Sequence, residues 1–460
     1  MRFDDVSGDA KDTPSNGVPP ISPTSPNFGR QVRASATLAW RTISAADGTT
    51  VMLHQQSQDD EVVISQAGGY GGGFGNCQPI TQGGVTRYDA AGKPSSPILL
   101  GGAALVVDIA ASSDGRWLAL AKPGAYLRGE SASLEVISTA LSSAGGNGDA
   151  GVAIPASTTL DGGVPSLPPG VFVTADGGLQ FTGPSFISPS QCNTGWTEGF
   201  DVQTTAVAFD LEGNLYAFSR EPAQLTIYRV GVSGSELDIF PSLELDQTIA
   251  LNSVSMRDTG HELFHGDVGT GLACASCHGE ALDDGHVWNF RDFGPRRTQN
   301  IRGGLLGTLP LHWEGDLSSF QALIDEVMTR RMGGFQVEPK YGTALANWID
   351  KQPAVSVKTS DTAAAASGKL LFESPTLLCT SCHSGSTLTN NQTVDVGTGG
   401  AFQVPSLRGL GLHAPYMHDG CAVTLADRFD PACGGGDSHG KTSQLSDAQI
   451  RDLVAYLQTL

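Results

Sequence analysis

Four of the eight cysteines in this 460-residue chain form two pairs with the same spacing, and a histidine follows each pair directly. The two motifs are CASCH at residues 274–278 and CTSCH at residues 379–383. Two thiols one helical turn apart can add to the two vinyl groups of a heme, and the next histidine then binds the iron on the proximal side. The spacing therefore predicts two covalent c-type hemes, held by Cys274, Cys277, His278, Cys379, Cys382 and His383.

A zinc or thiol-redox site is the alternative interpretation of a Cys-x-x-Cys pair. It leaves the histidine after each pair unexplained, and two accidental matches in one chain are improbable. Because heme c is attached outside the cytoplasm, the other four cysteines are expected in an oxidising compartment. Cys421 and Cys433 enclose a short acidic, glycine-rich loop and are predicted to form a disulfide. Cys77 and Cys192 either form a second pair or remain free, buried thiols.

Composition and charge narrow the function further. A formal net charge of −20 argues against nucleic acid as a partner, because phosphate binding requires a basic surface. The acidity either steers a basic redox partner or serves solubility. The longest apolar run, residues 98–107, is about half the length of a membrane-crossing helix, so no transmembrane segment is predicted. Residues 1–28 lack the apolar core of a signal peptide, and we expect a flexible leader on a mature or truncated exported protein.

Residues 29–250 are predicted to be all-β. Three segments have alternating apolar residues on both sides of a tight Asp-Gly or Glu-Gly-Asn turn, which is typical of β-hairpins: 36–56, 106–122 and 204–220. In these turns the region resembles the YVTN and WD-type β-propeller families, and about 220 residues would hold four or five blades. A pair of β-sandwiches is the alternative fold.

The pattern changes near Asp258, where helical periodicity begins. Helices are predicted within 318–332, 341–351 and 446–460, the last with its apolar residues on one face and an N-terminal cap at Ser446 and Asp447. The predicted fold class is therefore multidomain: a propeller-like domain followed by two α-helical cytochrome c-like domains, at 258–352 and 362–460.

The second half of the chain contains an internal repeat. Residues 259–280 and 367–385 share one pattern: a glycine, two variable residues, Leu-Phe, a short loop and then the heme motif. Residues 296–316 align with 402–421, so that His312 corresponds to Met417 and Trp313 to His418. Each copy is expected to need its heme for folding as well as for chemistry.

Residues 258–460 closely resemble the bacterial diheme cytochrome c peroxidase and MauG superfamily. The resemblance is carried by the two heme motifs 105 residues apart, by HWEGD and APYMHDG, and by the closing LSDAQIRDLVAYL. It implies that the first heme meets peroxide and the second relays electrons. It also implies that Trp313 lies between the hemes as a relay, with core packing as its alternative role.

The resemblance leaves the sixth iron ligands open. His312 stands at a distal position of the first heme and either binds iron or acts as acid and base on peroxide. Met332 replaces the family's distal glutamate, which argues against classical peroxidase catalysis and makes Met332 a thioether ligand candidate. His286 is a further candidate at the first heme. Met417 and His439 are equal candidates at the second heme.

Two more histidines are given structural roles. His418 is expected to face the region between the heme domains, because its repeat partner is Trp313. His413 precedes Pro415 in a segment that helps hold a calcium ion in the family, so Ca²⁺ is a further candidate cofactor, although no dense carboxylate cluster accompanies it.

Three functions follow as hypotheses. The first is an exported diheme cytochrome, periplasmic or on the cell surface, with peroxide-dependent chemistry at its first heme. The second is a pure electron-transfer cytochrome with both hemes six-coordinate. The third is a propeller-based binding module with a redox appendage. Expected partners are peroxide or a redox protein such as a small cytochrome or cupredoxin.

Overall fold

The computed structural model describes the backbone of residues 2–6, 28–45, 47–64, 79–95, 97–100, 104–123, 134–139, 171–173, 179–181, 202–232, 241–268, 270–359 and 361–460. The candidate pair Cys77 and Cys192 lies outside these residues. The Cys421–Cys433 disulfide lies within them and is confirmed, with its two Cα atoms 5.7 Å apart.

The three hairpins predicted from the turn signals are confirmed. Strand β2 pairs with β3, β6 with β7 and β11 with β12, all antiparallel. The described strands are β1 (Arg2–Val6), β2 (Phe28–Ser44), β3 (Thr50–Gln58), β4 (Thr81–Tyr88), β5 (Ile98–Leu100), β6 (Asp108–Ala111), β7 (Trp117–Ala121), β8 (Leu134–Ser138), β9 (Val171–Val173), β10 (Leu179–Phe181), β11 (Thr204–Phe209), β12 (Asn214–Ser219), β13 (Gln224–Val232), β14 (Pro241–Ala250), β15 (Val287–Phe290), β16 (Gly294–Arg297), β17 (Thr393–Asp395) and β18 (Ala401–Gln403).

The larger sheets of the N-terminal region are antiparallel and follow the chain order. Strands β1 to β5 form one sheet, β6 to β8 a second and β11 to β14 a third. Strand β7 is buried on both sides, because successive side chains of a strand point to opposite faces. Leu118 and Leu120 pack with β3 and β4 of the first sheet, whereas Ala119 and Ala121 pack with β11 and β12 of the third.

The mostly β character of the N-terminal region is thus confirmed, with three sheets packed in sequence order. Within the described ranges the sheets do not close into a barrel or a ring. The propeller and its sandwich alternative therefore remain predictions, as do the domain limits.

The C-terminal region is built from short helices and long connections. The described α-helices are α1 (Thr259–His265), α2 (Phe320–Leu323), α3 (Pro339–Asp350), α4 (Thr362–Phe372), α5 (Cys379–Cys382), α6 (Pro431–Gly434) and α7 (Asp447–Leu457), and a π-helix, Ile324–Arg331, continues α2. Ser446 caps α7 and forms a capping box with Gln449, as the cap signal indicated. None of the helices in the described ranges is both long and apolar enough to span a bilayer.

The internal repeat is visible in the backbone of both copies. Gly260 on α1 lies against the Ala344 carbonyl of α3, and Gly368 on α4 lies against the Asp452 carbonyl of α7. In each copy a cis proline lies two residues before the aligned side chain: Pro310 before His312, and Pro415 before Met417. A β-bridge follows in both, Leu311 to Leu317 and Tyr416 to Ala422.

The β region packs directly on the first heme motif. The Ser276 hydroxyl, inside CASCH, donates to the Ala104 carbonyl over 2.7 Å. A small apolar cluster joins both regions: Val62, Ile64 and Ile80 from the β region, Trp288 and Phe290 from the heme region, and Cys277 against it. Strands and heme motif therefore share one core at this contact.

Candidate heme sites

Each heme motif lines its own cavity. The first heme cavity, of about 220 Å³, is lined by Cys274, Cys277 and His278. The second heme cavity, of about 510 Å³, is lined by Cys379, Cys382 and His383. All four cysteines are free thiols, as attachment of a heme requires.

Both motif histidines are oriented by a backbone carbonyl. The Nδ1 atom of His278 lies 3.2 Å from the Leu282 oxygen, and Nδ1 of His383 lies 3.1 Å from the Leu388 oxygen. Such a contact keeps the proton on Nδ1 and leaves Nε2 for a metal. Burial lowers the pKa of His383 to about 4, so its imidazole is neutral at pH 7 and able to bind iron.

His439 faces His383 at the spacing of a second axial ligand. The two ring centroids are 6.3 Å apart and the rings are tilted by 38°. Two metal–nitrogen bonds of about 2 Å each, plus the distance from each ring centre to its nitrogen, add to nearly this span. Burial, then the charges of Arg428 and His383, lower the pKa of His439 to about 3, which leaves this imidazole neutral as well.

Met417 also lines the second heme cavity, so both candidates for the sixth ligand are brought to the same site. Met417 packs with the apolar cluster of the second heme region, around Phe372, Leu407 and Leu453. His439 is the candidate whose distance to the proximal ring matches a pair of iron ligands.

One wall separates the two cavities, and the predicted relay is part of it. The residues that line both cavities are Arg297, Gln299, Ile301, His312, Trp313 and Leu323. The Trp313 indole nitrogen donates to the Arg297 carbonyl over 2.8 Å, which fixes the plane of the ring. Trp313 therefore borders both heme sites.

His312 is held by two carboxylates. Its Nδ1 lies 3.0 Å from Asp316 Oδ1 and 3.4 Å from Glu314 Oε2. Such a contact leaves Nε2 as the ring nitrogen available to the cavities. Burial, and then the charge of Arg331, lower the pKa of His312, so its ring is neutral at pH 7 and able to accept a proton. The arrangement fits either an acid–base group or a metal ligand.

Met332 lines the first heme cavity from the end of a continuous helical wall. Seven residues of this segment line the cavity, at offsets of 3, 4, 7, 8, 11 and 12 positions from the first: Phe320, Leu323, Ile324, Val327, Met328, Arg331 and Met332. Met328 and Met332 are both buried and supply two thioether groups. Among the side chains that line the first heme cavity, Glu314 is the acidic one, and Arg296 pairs with its carboxylate at 2.9 Å.

His286 does not line either heme cavity. Its Nε2 lies 2.9 Å from the Gln58 carbonyl of the β region, and its ring packs on Trp288. The structure thus gives His286 a contact between the two regions of the chain rather than a place beside the iron. The sequence pattern alone could not show this, because Gln58 is more than 200 residues away.

The predicted structural histidines lie between the heme regions. His418 stacks on Phe402 with ring centroids 4.0 Å apart, and both rings meet Trp313 edge to face. His413 contacts Asp283, whose other oxygen pairs with Arg297 at 2.6 Å. The inter-domain position predicted for His418 is confirmed, and Asp283 is a connecting residue that the sequence pattern did not single out.

The residues present fit a heme in each cavity better than they fit zinc. A structural zinc needs four converging ligands, such as thiolates and imidazoles. Within the described ranges, the His, Cys, Asp and Glu side chains that converge at metal-ligand spacing are His312, Glu314 and Asp316. Neither cysteine pair belongs to this group.

Comparison with known proteins finds similarity over parts of the chain. Residues 365–460 match the cytochrome c family. The chain is 28% identical over 254 residues to hydrazine synthase subunit gamma of Kuenenia stuttgartiensis, covering 41% of this chain and 72% of that protein. It is 41% identical over 66 residues to the methylamine utilization protein MauG of Methylorubrum extorquens, covering 13% of this chain and 19% of that protein. Together with the cytochrome c match, these similarities support a heme-based redox function.

Two solved structures are also similar. One is hydrazine synthase of Kuenenia stuttgartiensis, with 25% identity and a TM-score of 0.40 over 44% of this chain and 86% of that chain. The other is a MauG-like protein associated with microbial copper homeostasis, with 20% identity and a TM-score of 0.34 over the same shares of 44% and 86%.

Proposed function

We propose that this chain is an exported diheme c-type cytochrome that transfers electrons between two covalent hemes, with peroxide-dependent chemistry at the first. The observation that supports it most is the shared wall: two cavities, each with its own Cys-x-x-Cys-His motif, meet at His312 and Trp313. The hemes supply one-electron chemistry when bound. The protein sets their distance, ligands and access to solvent.

The second heme is assigned to electron relay. His383 and His439, whose ring centroids are 6.3 Å apart, would hold its iron, and two imidazole ligands favour a low reduction potential. Two histidine ligands would leave peroxide no open position at this iron. Trp313, edge-on to His418 and Phe402, provides an aromatic connection toward the first heme.

The first heme is assigned to chemistry. His312 is neutral, has one ring nitrogen held by Asp316, and can take up or release a proton at the other. His312 would thus carry out the proton transfer that a distal carboxylate would otherwise perform. Asp316 favours the protonated imidazole once a proton has arrived, because the carboxylate is 3.0 Å away.

A pure electron-transfer cytochrome is the second candidate. Met328 and Met332 place two buried thioethers on the wall of the first heme cavity, and a methionine bound to the iron would close that site. The two proposals differ in one property, the coordination of the first iron.

Spectroscopy of the oxidised and half-reduced holoprotein separates them. We expect one low-spin heme with two histidine ligands and one high-spin heme, with hydrogen peroxide changing the spectrum of the high-spin heme alone. Two low-spin hemes that ignore peroxide even after half-reduction would reject the peroxide chemistry and favour electron transfer.

The remaining assignments stay proposals. We propose a periplasmic or cell-surface location and a redox protein, such as a small cytochrome or cupredoxin, as partner. The binding role of the β region stays a third hypothesis. Calcium remains a prediction, although Asp283, the buried carboxylate nearest to His413, already pairs with Arg297 and His413.

A further inference from the structure

An exposed aromatic side chain lies at the mouth of the first heme cavity. Phe293 lines this cavity and is nevertheless 44% exposed, so its ring stands where the cavity meets the solvent. It is at the tip of the β15–β16 hairpin, directly before Gly294, whose φ of 71° favours glycine. Trp288 and Phe290 of the same hairpin are buried and line the cavity behind it. The hairpin therefore forms one wall of the cavity, with Phe293 at its outer end.

Phe293 contacts the helical wall on the other side of the mouth. The guanidinium of Arg331, at the end of the π-helix, lies over the Phe293 ring at 5.7 Å from its centre. A cation at this distance is attracted to the face of an aromatic ring. Arg331 is itself buried and lines the cavity, and its Nε pairs with Glu326 at 2.8 Å. Phe293 and Arg331 thus connect the hairpin wall with the helical wall at the opening.

The β region holds the hairpin that carries Phe293. The backbone nitrogen of Arg291 donates to the Val62 carbonyl over 3.0 Å, and the Arg291 side chain pairs with Glu61 at 2.6 Å. Val62 also forms a parallel β-bridge with Phe290. The hairpin loop is therefore attached to the β region on one side, while Phe293 contacts Arg331 on the other. Both contacts restrict the movement of the ring away from the mouth.

The first heme cavity also offers less space than the second. Their volumes are about 220 Å³ and about 510 Å³, so one heme in each leaves less room for a substrate beside the first. Most of the side chains that line the first cavity are apolar, which suits an uncharged substrate. Hydrogen peroxide is small and uncharged, and it fits this space better than a hydroperoxide with a bulky organic group.

We propose that Phe293 determines which peroxides reach the first heme: its ring, held against Arg331, narrows the mouth so that hydrogen peroxide enters and bulky organic hydroperoxides are excluded. The inference rests on the proposed function, since it assumes peroxide chemistry at the first heme. It adds the substrate class, which the heme motif and the iron ligands leave open. Phe293 acts on access alone and takes no part in the proton transfer assigned to His312.

Two ligands of ferric heme iron that differ in size test the opening without any turnover. Cyanide is small, whereas phenylimidazole carries a bulky ring, and stopped-flow spectroscopy of the oxidised holoprotein measures how fast each binds to the high-spin heme. In Phe293→Ala we expect phenylimidazole to bind at least about tenfold faster than in the unaltered protein, with cyanide binding unchanged. The same variant should react at least about tenfold faster with cumene hydroperoxide and at an unchanged rate with hydrogen peroxide.

Two further variants complete the test. Phe218→Ala is the matched control, because Phe218 is 39% exposed, lies on β12 and lines neither heme cavity. It should leave all of these rates unchanged. Phe293→Trp places a larger ring at the mouth, and we expect it to slow phenylimidazole binding below the rate of the unaltered protein. If Phe293→Ala does not fold, Phe293→Trp decides.

The results that would overturn the role of Phe293 are distinct from those that concern the heme itself. Unchanged phenylimidazole binding in both Phe293 variants would show that this ring does not limit access. An equal acceleration of cyanide and phenylimidazole in Phe293→Ala, or the same acceleration in Phe218→Ala, would show a general loosening instead of size selection. A first heme that is low spin and binds neither ligand in the unaltered protein would reject the proposed function.

Discussion

At the residue scale, His312 and Met417 hold the same place in the two copies of the repeat. Both have a left-handed backbone, with φ of 80° and 71°. A side chain other than glycine is uncommon in this region of φ, and such positions cluster at functional sites. The same backbone conformation therefore presents an imidazole to the first heme cavity and a thioether to the second.

The sixth ligand of the second heme can be assigned by two substitutions. We expect His439→Ala to convert the second heme from low spin to high spin, because it removes the ring that lies 6.3 Å from His383. Electron paramagnetic resonance of the oxidised protein measures the change. Met417→Leu conserves volume and should leave the spectrum unchanged. The reverse result, with Met417→Leu producing the high-spin heme, would make Met417 the ligand.

His312 offers a second prediction at this scale. His312→Gln keeps a polar side chain but removes the titrating nitrogen, and we expect peroxide turnover to fall by about 10²- to 10⁴-fold. Steady-state peroxide reduction measures it, and Asp316→Asn should show a smaller loss because the imidazole itself remains. An unchanged rate in His312→Gln would leave the acid–base role without support.

At the element scale, each heme region contains two helices that pack against each other, with a glycine at the point of contact. A Cβ atom added at Gly368 would lie 1.9 Å from the Asp452 carbonyl oxygen of α7. One added at Gly260 would lie 2.3 Å from the Ala344 carbonyl oxygen of α3. Both copies of the repeat therefore have a glycine at this position because two helix backbones pack closely there, and not because a turn requires it.

Gly368→Ala should therefore weaken the second heme region. We expect a loss of about 1–3 kcal/mol in the free energy of unfolding, since α4 must move away from α7. Denaturant unfolding followed at the heme band gives the value. Ser367→Ala, on the exposed side of the same helix, should change stability by less than about 0.5 kcal/mol. Equal effects of the two substitutions would contradict the close contact.

At the scale of the whole molecule, one buried carboxylate connects the two heme regions. Asp283 pairs with Arg297 of its own region and with His413 of the other, and its side chain is only 3% exposed. Burial by itself raises the pKa of Asp283, but the hydrogen bond with His413 and the charge of Arg297 lower it below the ordinary value of 3.8. A carboxyl with a lowered folded-state pKa stabilises the protein above pH 3.8, and this contribution is lost as the pH falls through the folded value.

Asp283→Asn is the corresponding prediction. Removing one partner from a buried ion pair costs about 3–5 kcal/mol, so we expect a loss of this size in the free energy of unfolding at pH 7. The difference from the unaltered protein should be smaller at pH 3, which lies below the ordinary pKa of 3.8, because this contribution is lost as the pH falls toward the lowered folded-state pKa of Asp283. Thermal unfolding at both pH values measures it, with the exposed Asp292→Asn as control. A difference that grows toward low pH would have the wrong sign for this role.

The heme motifs, the repeat and the hairpins were predictable because each depends on short spacings along the chain. Two thiols three residues apart, a glycine three residues before Leu-Phe and an Asp-Gly turn act through residues that are close together in the sequence. The disulfide was predictable for the same reason, since a 12-residue separation suits a closed loop.

The sequence by itself predicted the cofactor, and it determined the number of heme motifs and the residues that they contain. Only the tertiary structure decided which histidine faces His383, that His286 contacts the β region, and that Asp283 and Arg428 carry charges into the interior. These contacts join segments that are far apart in the chain. Burial changes the pKa values of the side chains only once the chain has folded. A lone histidine or arginine has the same sequence signature on a surface as beside an iron, because its distance and its desolvation are properties of the fold.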